Sequence, residues 1–283
     1  MANSAALAAA ALTLNAFTWG VSWWPFRALE ARGLHPLWAT ALIYAIAVAA
    51  ITLARPAAWR ELLRTPVLWV LVAASGATNA TFNWAMTIGD VVRVVLLFYL
   101  MPLWAVLLAR ALLGERLTGG AALRVGMALA GAAVVLWPAE GGWPLPRSGA
   151  EWLAVAGGFS FALNNVMLRR EAHRSNSARG LAMFLGGVLV SSLLALALPT
   201  PAPPPPGPWL AGAVALGLVF LCGNLALQYG AARLPANATA VVMVSEVMFA
   251  SVSAWLLGAG RLDAQVLAGG ALIVAASLLA ARD

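Results

Sequence analysis

Apolar runs of eighteen or more residues recur along this chain, and the connections between them run from a few residues to about a dozen. That pattern leaves no room for a soluble domain. It predicts a polytopic membrane protein built from helices, because a helix satisfies its own backbone in lipid. Composition agrees: 63% of the 283 residues are hydrophobic and only 10% are charged, against roughly 25% charged in a soluble domain.

Ten spans fit, at roughly 5–26, 36–54, 66–87, 91–113, 118–138, 150–169, 178–198, 208–230, 236–257 and 263–281. The stretch VVLLFYLMPLWAVLLARALLGERL, Val94 to Leu117, carries Pro102 and closes on Gly114-Glu115-Arg116-Leu117. A shift of 145 residues lays it on Thr239 to Leu262. Arg116-Leu117 then meets Arg261-Leu262, Asn79 meets Asn224, and Asn83 meets Gln228. The shift reads as an internal duplication. Five spans per half is an odd number, so the second copy is inverted in the membrane, a plan that puts a substrate site near the midplane. The expected fold is therefore all-α: ten transmembrane helices as two inverted five-helix repeats around a central cavity. Residues 1–138 form the first repeat, 139–149 a connection, and 150–283 the second repeat.

The net charge is +7, and all seventeen basic residues are arginine. They lie in the connections, which points to topology rather than to nucleic acid. Twelve fall on the side of both termini and five on the other. The positive-inside rule then puts both termini in the cytoplasm. The segment PTPAPPPPGP, Pro199 to Pro208, reads as a stiff extracytoplasmic connection. The N-terminus lacks the basic region of a secretory signal and reads as the start of the first span.

Glu246 stands out. The other nine acidic residues lie in connections, tails or span ends, whereas Glu246 sits about ten residues into the ninth span. A charge at that depth costs about 2.5–3.5 kcal/mol on insertion scales, so it faces a cavity or a partner. It can carry a coupling proton, pair with a substrate ammonium, or do each in turn; a hydrogen bond to a neighbouring helix is the structural alternative. Amides recur at helical spacing. Asn79 and Asn83 share one face of the third span, as Asn224 and Gln228 do in the eighth. Asn15, Trp19 and Ser22 in the first span fall, at an offset of 142, on Gly157, Phe161 and Asn164 in the sixth, with Asn165 adjacent. These amides either line a shared polar cavity or bond helix to helix.

Of thirteen tryptophans, Trp24, Trp38, Trp59, Trp137, Trp143, Trp152 and Trp209 lie near span ends, as interfacial belt residues do. Trp19, Trp84 and Trp104, with Tyr99 and Phe161, lie deeper and can wall an apolar pocket. Pro25 and Pro102 are candidate bending points. Gly126, Ala130 and Gly131 in the fifth span, and Gly269, Gly270 and Ala275 in the tenth, suit close helix packing, within the chain or at a homo-oligomer seam. Several chemistries find no residues. Both histidines are in connections, Cys222 is alone, no metal set or phosphate-binding loop is present, and no Ser pairs with a His or Lys at membrane depth. The expectation is no cofactor, no metal and no enzymatic activity.

The ten-span, two-half arrangement, Trp19-Gly20 in the first span, and a fourth span of the form Pro102…Gly114-Glu115-Arg116-Leu117 resemble the EamA family of the drug/metabolite transporter superfamily. The resemblance covers nearly the whole chain. Around NAFTWGVSWWPFRALEARGLHPLW, the first eighty residues are also similar to YddG-type aromatic amino-acid exporters of bacteria. The family implies an inner-membrane exporter with cytoplasmic termini and a cavity lined by the first, third, fourth, sixth, eighth and ninth spans. The second half departs from the pattern: Val247 stands where the first half has Pro102, and Ala259-Gly260 where it has Gly114-Glu115.

The expected function is export of amino acids, aromatic and other apolar ones favoured, by alternating access. Glu246, Asn79, Asn83, Asn224, Gln228, Trp19, Tyr99, Phe161 and Asn164 are the expected substrate-binding and translocation residues. The expected partners are a small solute and the lipid bilayer. Export of another metabolite, a purine, a nucleoside or an organic cation, is the alternative. An intramembrane enzyme and a non-transporting scaffold are the remaining rivals.

Overall fold

The computed structural model describes residues 2–114, 118–138, 141, 143–171, 173–231, 233 and 242–280, without the side chains of 2–5, 102, 121, 228, 231, 277 and 280. Among the described residues the structure is all-helical. The helices are α1 (Ala2–Val21), α2 (Trp23–Glu30), α3 (Pro36–Ala54), α4 (Ala57–Arg64), α5 (Leu68–Ile88), α6 (Val91–Phe98) and α7 (Met101–Leu113) in the first half. They continue with α8 (Gly119–Leu136), α9 (Gly149–Arg170), α10 (Asn176–Ala197), α11 (Pro208–Ala231), α12 (Ser245–Leu256) and α13 (Ala264–Ala280).

Among the described residues, four stretches are long and apolar enough to cross a membrane: Pro36–Ala54, Val91–Leu113, Asn176–Ala197 and Pro208–Leu227. The outer surface is correspondingly apolar, with Leu53, Leu107, Leu193, Leu196, Leu218 and Val252 all exposed. A water-soluble surface does not carry such an expanse. This is a multi-pass membrane fold.

Two expected spans are broken, and proline explains both breaks. An unbroken first span would bond the residue-25 amide to Val21, but Pro25 has no N–H, and the chain turns at Ser22 between α1 and α2. In the fourth span Pro102 cannot reach Phe98, and Tyr99 and Leu100 form a turn between α6 and α7. A third break has no proline. Val244 is a turn between helical Met243 and α12, where the Ser245 hydroxyl donates to the Val242 carbonyl at 2.6 Å. Such back-bonding competes with the helical ladder. The shift of 145 residues carries Tyr99 onto Val244, so these two breaks fall at positions the shift aligns.

Glycine sets the close crossings. A Cβ on Gly131 would lie 2.6 Å from the Gly269 carbonyl, and one on Gly269 would lie 2.6 Å from the Gly131 carbonyl, so α8 and α13 meet backbone to backbone. These two glycines pack within one chain; Gly126 faces open space. Gly76 and Gly186 do the same for α5 and α10. Gly20 lets α1 press on α12, where a Cβ would meet Phe249 at 2.7 Å and the Glu246 carbonyl at 2.8 Å.

Trp24, Trp137, Trp143 and Trp152 are exposed near helix ends. Trp209 is not on that belt. It is buried, and its indole N–H donates to the Pro205 carbonyl at 2.9 Å, pinning the proline-rich connection to the end of α11. Glu115, Arg116 and Leu117 of the fourth-span motif, and residues 234–241 at the start of the ninth expected span, lie outside the described residues.

Candidate functional site

The breaks at Tyr99 and Val244 face a cavity of about 550 Å³, within the usual range for small-molecule sites. α1, α3, α5, the α6–α7 break, α9, α10, α11 and α12 all contribute to its wall. Tyr44 on α3 and Met183 and Phe184 on α10 thus bring in the second and seventh spans as well as the six the family resemblance implied. Gly187 makes this possible: a Cβ there would lie 2.7 Å from the Tyr44 ring.

Two groups of aromatic rings line the cavity. Phe98 stacks against Phe82 and Phe161 with centroids 4.5 and 5.3 Å apart, and Trp19 against Phe220 at 4.5 Å. Gly157 and Gly158 seat this group, since a Cβ on Gly158 would lie 2.5 Å from the Phe98 carbonyl. α6 can therefore end against α9 and turn Tyr99 into the cavity.

Glu246 is the one acidic side chain in the described lining, and no basic side chain is there. It lies in the first turn of α12, where the helix dipole favours negative charge. The Tyr99 hydroxyl donates to its Oε2 at 3.3 Å, across 147 residues of chain.

The amides divide. Asn79 lines the cavity; its Oδ1 accepts from the Tyr44 hydroxyl and its Nδ2 donates to the Ser75 carbonyl at 2.8 Å. Asn83, one turn on, does not line it. Asn83 is buried against α3 and donates to the Thr40 hydroxyl at 3.0 Å, a helix-to-helix bond. Asn224 lines the cavity, whereas the Gln228 side chain lies outside the described residues. Asn164 lines it with Asn165, to which its Nδ2 donates at 3.3 Å. Asn15 lines it too, donating to the Gly223 carbonyl at 2.8 Å. The amide oxygens of Asn15 and Asn164 are buried and have no partner among the described residues.

Of the nine expected residues, Glu246, Asn79, Asn224, Trp19, Tyr99, Phe161 and Asn164 thus meet at one cavity. Trp84 and Trp104 stand elsewhere, packed on His35 and Phe159. Tyr44, Phe82, Phe98, Phe184 and Phe220 were missed, for an isolated aromatic in an apolar span carries no signal of its own. Ser75 was legible, since it precedes Asn79 by one turn. No group of three metal-ligating side chains occurs among the described residues.

The sequence profile of the EamA-like transporter family matches residues 6–137 and again residues 148–282. The chain belongs to the EamA-like transporter family. Membership sets it among transporters rather than enzymes. An uncharacterized transporter of Pseudomonas aeruginosa is 38% identical over 86 residues, a stretch covering 29% of this chain and 29% of that protein. A solved crystal structure is similar over 96% of each chain, with a TM-score of 0.58 and 23% identity. At that identity the likeness extends to the fold alone.

Proposed function

We propose that this EamA-like protein is an inner-membrane exporter of small amine-bearing solutes, with aromatic and other apolar amino acids as its first candidates. Glu246 meets the solute's ammonium, and Trp19, Tyr99 and Phe161 wall its side chain. Asn79, Asn164, Asn224 and Gln228 hold polar groups, while Asn83 acts through its bond to Thr40. One observation carries the reading: in the described lining a single carboxylate stands among aromatic rings, amides, two hydroxyl residues and aliphatic side chains.

Ten spans in two inverted halves, with both termini cytoplasmic, are part of the same proposal. The double profile match over 6–137 and 148–282, the Arg asymmetry and the matching breaks at Tyr99 and Val244 support it. Alternating access then needs two ends that open in turn. Polar ties gather at the end away from the termini. The Val91 N–H donates to the Ala259 carbonyl at 3.1 Å, and the Arg261 N–H to Asp90 at 3.0 Å. Arg93 pairs with Glu151 at 3.0 Å. On this topology the closed end is extracytoplasmic, and the cavity awaits solute from inside.

The test is uptake of labelled phenylalanine and tryptophan by liposomes holding the purified protein, with and without a pH gradient. Saturable uptake, lost in Glu246→Gln while the variant keeps its melting temperature, is the expected outcome. Unchanged uptake and pH response in that variant would remove any role for the charge.

A further inference from the structure

The cavity's hydrogen-bonding capacity is lopsided. Most of its side-chain donors are committed inside the protein: Tyr99 to Glu246, Tyr44 to Asn79, Asn15 to Gly223, Asn79 to Ser75, Asn164 to Asn165 and Thr78 to Ala74. The Trp19 indole N–H and the Asn165 amide, both in the lining, are left for a solute. The buried spare capacity is on acceptors: among the described residues the Asn15 and Asn164 amide oxygens have no partner, although those residues are only 1% and 2% exposed. Glu246 receives a single hydrogen bond among the described residues, the one from Tyr99.

Charge leans the same way, with one carboxylate and no basic side chain in the described lining. Backbone amides do not redress the balance. In the first turn of α7, Pro102 has no N–H and the Leu103 N–H is spent on the Leu100 carbonyl at 3.0 Å. In the first turn of α12, the Val247 N–H is spent on the Val244 carbonyl at 3.1 Å, and Glu246 itself stands there. A second carboxylate brought to either place meets few donors and a like charge. Leaving water without a partner costs an ion several kcal/mol, roughly, even after the site relaxes.

We infer that the site selects for the ammonium of its solute and against a free carboxylate. The preferred solutes are arylalkyl amines, and an amino acid of the same side chain is the weaker ligand. An ammonium offers three donors and no acceptor. The cavity offers the complement: Glu246 for charge, with the amide oxygens of Asn15 and Asn164 as further acceptors, and aromatic faces that also attract cations. The inference rests on the reading of this cavity as the transport site, and it narrows the solute class.

The experiment uses the full-length protein and three probes that share one ring: 2-phenylethylamine, phenylalanine and 3-phenylpropionate. Binding is read from the ligand-dependent rise in melting temperature, and transport from uptake into liposomes. The amine is expected to bind at least about tenfold more tightly than phenylalanine, and the carboxylate-only probe not to bind at all. Asn164→Leu, which removes an acceptor the fold does not use, should weaken the amine by about tenfold while the unliganded melting temperature stays within a few degrees. Phenylalanine binding as tightly as the amine, or more so, would overturn the inference and leave the transport site standing. Failure of all three probes to bind would overturn both.

Discussion

Glu246 and Glu61 are carboxylates in opposite settings. Glu246 lies inside the protein, with Tyr99 donating to it at 3.3 Å. Glu61 lies on α4 near the surface and accepts from the Ser175 N–H at 3.1 Å and from its hydroxyl at 2.6 Å. The same hydroxyl caps α10, accepting from the Ala178 N–H at 3.1 Å. The Ser175 hydroxyl and N–H hold Glu61 below its usual 4.5, with Arg174 and Arg179 adding to the effect. A lowered carboxyl stabilises the fold above its unfolded value. That contribution is lost as pH falls through the lowered one, so the α4–α10 tie is intact at neutral pH and weakens only below about 4.5. Ser175→Ala removes the cap and the tie together. It should cost about 1 kcal/mol, read as a fall in melting temperature of roughly 2–4 °C; the Glu61 part of that difference is lost as pH falls through the lowered value, while the cap part remains. A difference that stays constant between pH 7 and pH 3 would show that Glu61 contributes nothing. The sequence made Glu246 legible because an acid at membrane depth demands a reason. It misplaced Asn83 because helical period reports a shared face and not what stands opposite. α3 crosses α5 at Asn83 and supplies Thr40, while one turn back the face opens on the cavity at Asn79.

Helix interruptions and glycine crossings fix how the elements meet. Most of the expected spans begin and end within a few residues of described helix ends, because apolar length is a strong signal; the start of the ninth lies outside the described residues. The breaks before Pro25 and Pro102 follow from a missing N–H and were legible for that reason. The break at Val244 was not, since it depends on Ser245 turning its hydroxyl back on Val242, and serine does so in many unbroken helices. Glycines were legible as packing residues, but the pairs they make are tertiary facts. Gly131 and Gly269 meet each other, and Gly20 meets the backbone of Glu246. Gly20 thus joins the α1–α12 crossing to the candidate site. Gly20→Ala puts a methyl against the Phe249 Cβ and the Glu246 carbonyl, and neither is the far end of a flexible side chain. Overpacking of this kind costs about 1–3 kcal/mol. The expected outcome is a lower melting temperature together with loss of solute binding, because α12 cannot withdraw without taking Glu246 with it. Gly126→Ala is the control: nothing lies within 4 Å, and both readouts should hold. If Gly20→Ala binds solute as the parent does, the crossing is not what positions Glu246.

Across the whole molecule the two ends differ. One is tied by backbone and ion pairs that cross between distant parts of the chain: Val91 to Ala259, Arg261 to Asp90, and Arg93 to Glu151. Arg27 adds a brace there, donating to the Met86 and Gly89 carbonyls at the end of α5. The Phe82, Phe98 and Phe161 rings pack together at the cavity end of α6, which runs from there to that tied end. At the other end, Glu61 with Ser175 is the cross-link seen between separate helices of the two halves. A transporter that works by alternating access must break the first set of ties once per cycle and cannot break all contacts at both ends together. That requirement can be tested by making one tie permanent. Cys222 is the chain's single cysteine, so Cys222→Ser gives a clean background. Val91→Cys with Ala259→Cys then places two thiols on residues already joined by a backbone hydrogen bond of 3.1 Å; a disulfide needs a Cα separation of roughly 4.4–6.8 Å. Oxidation should stop transport while solute still binds from the open end, and reduction should restore it. Each single-cysteine variant should transport in both conditions. If the oxidised double variant carries solute at the reduced rate, this end does not open during transport, and the exit path lies elsewhere in the molecule.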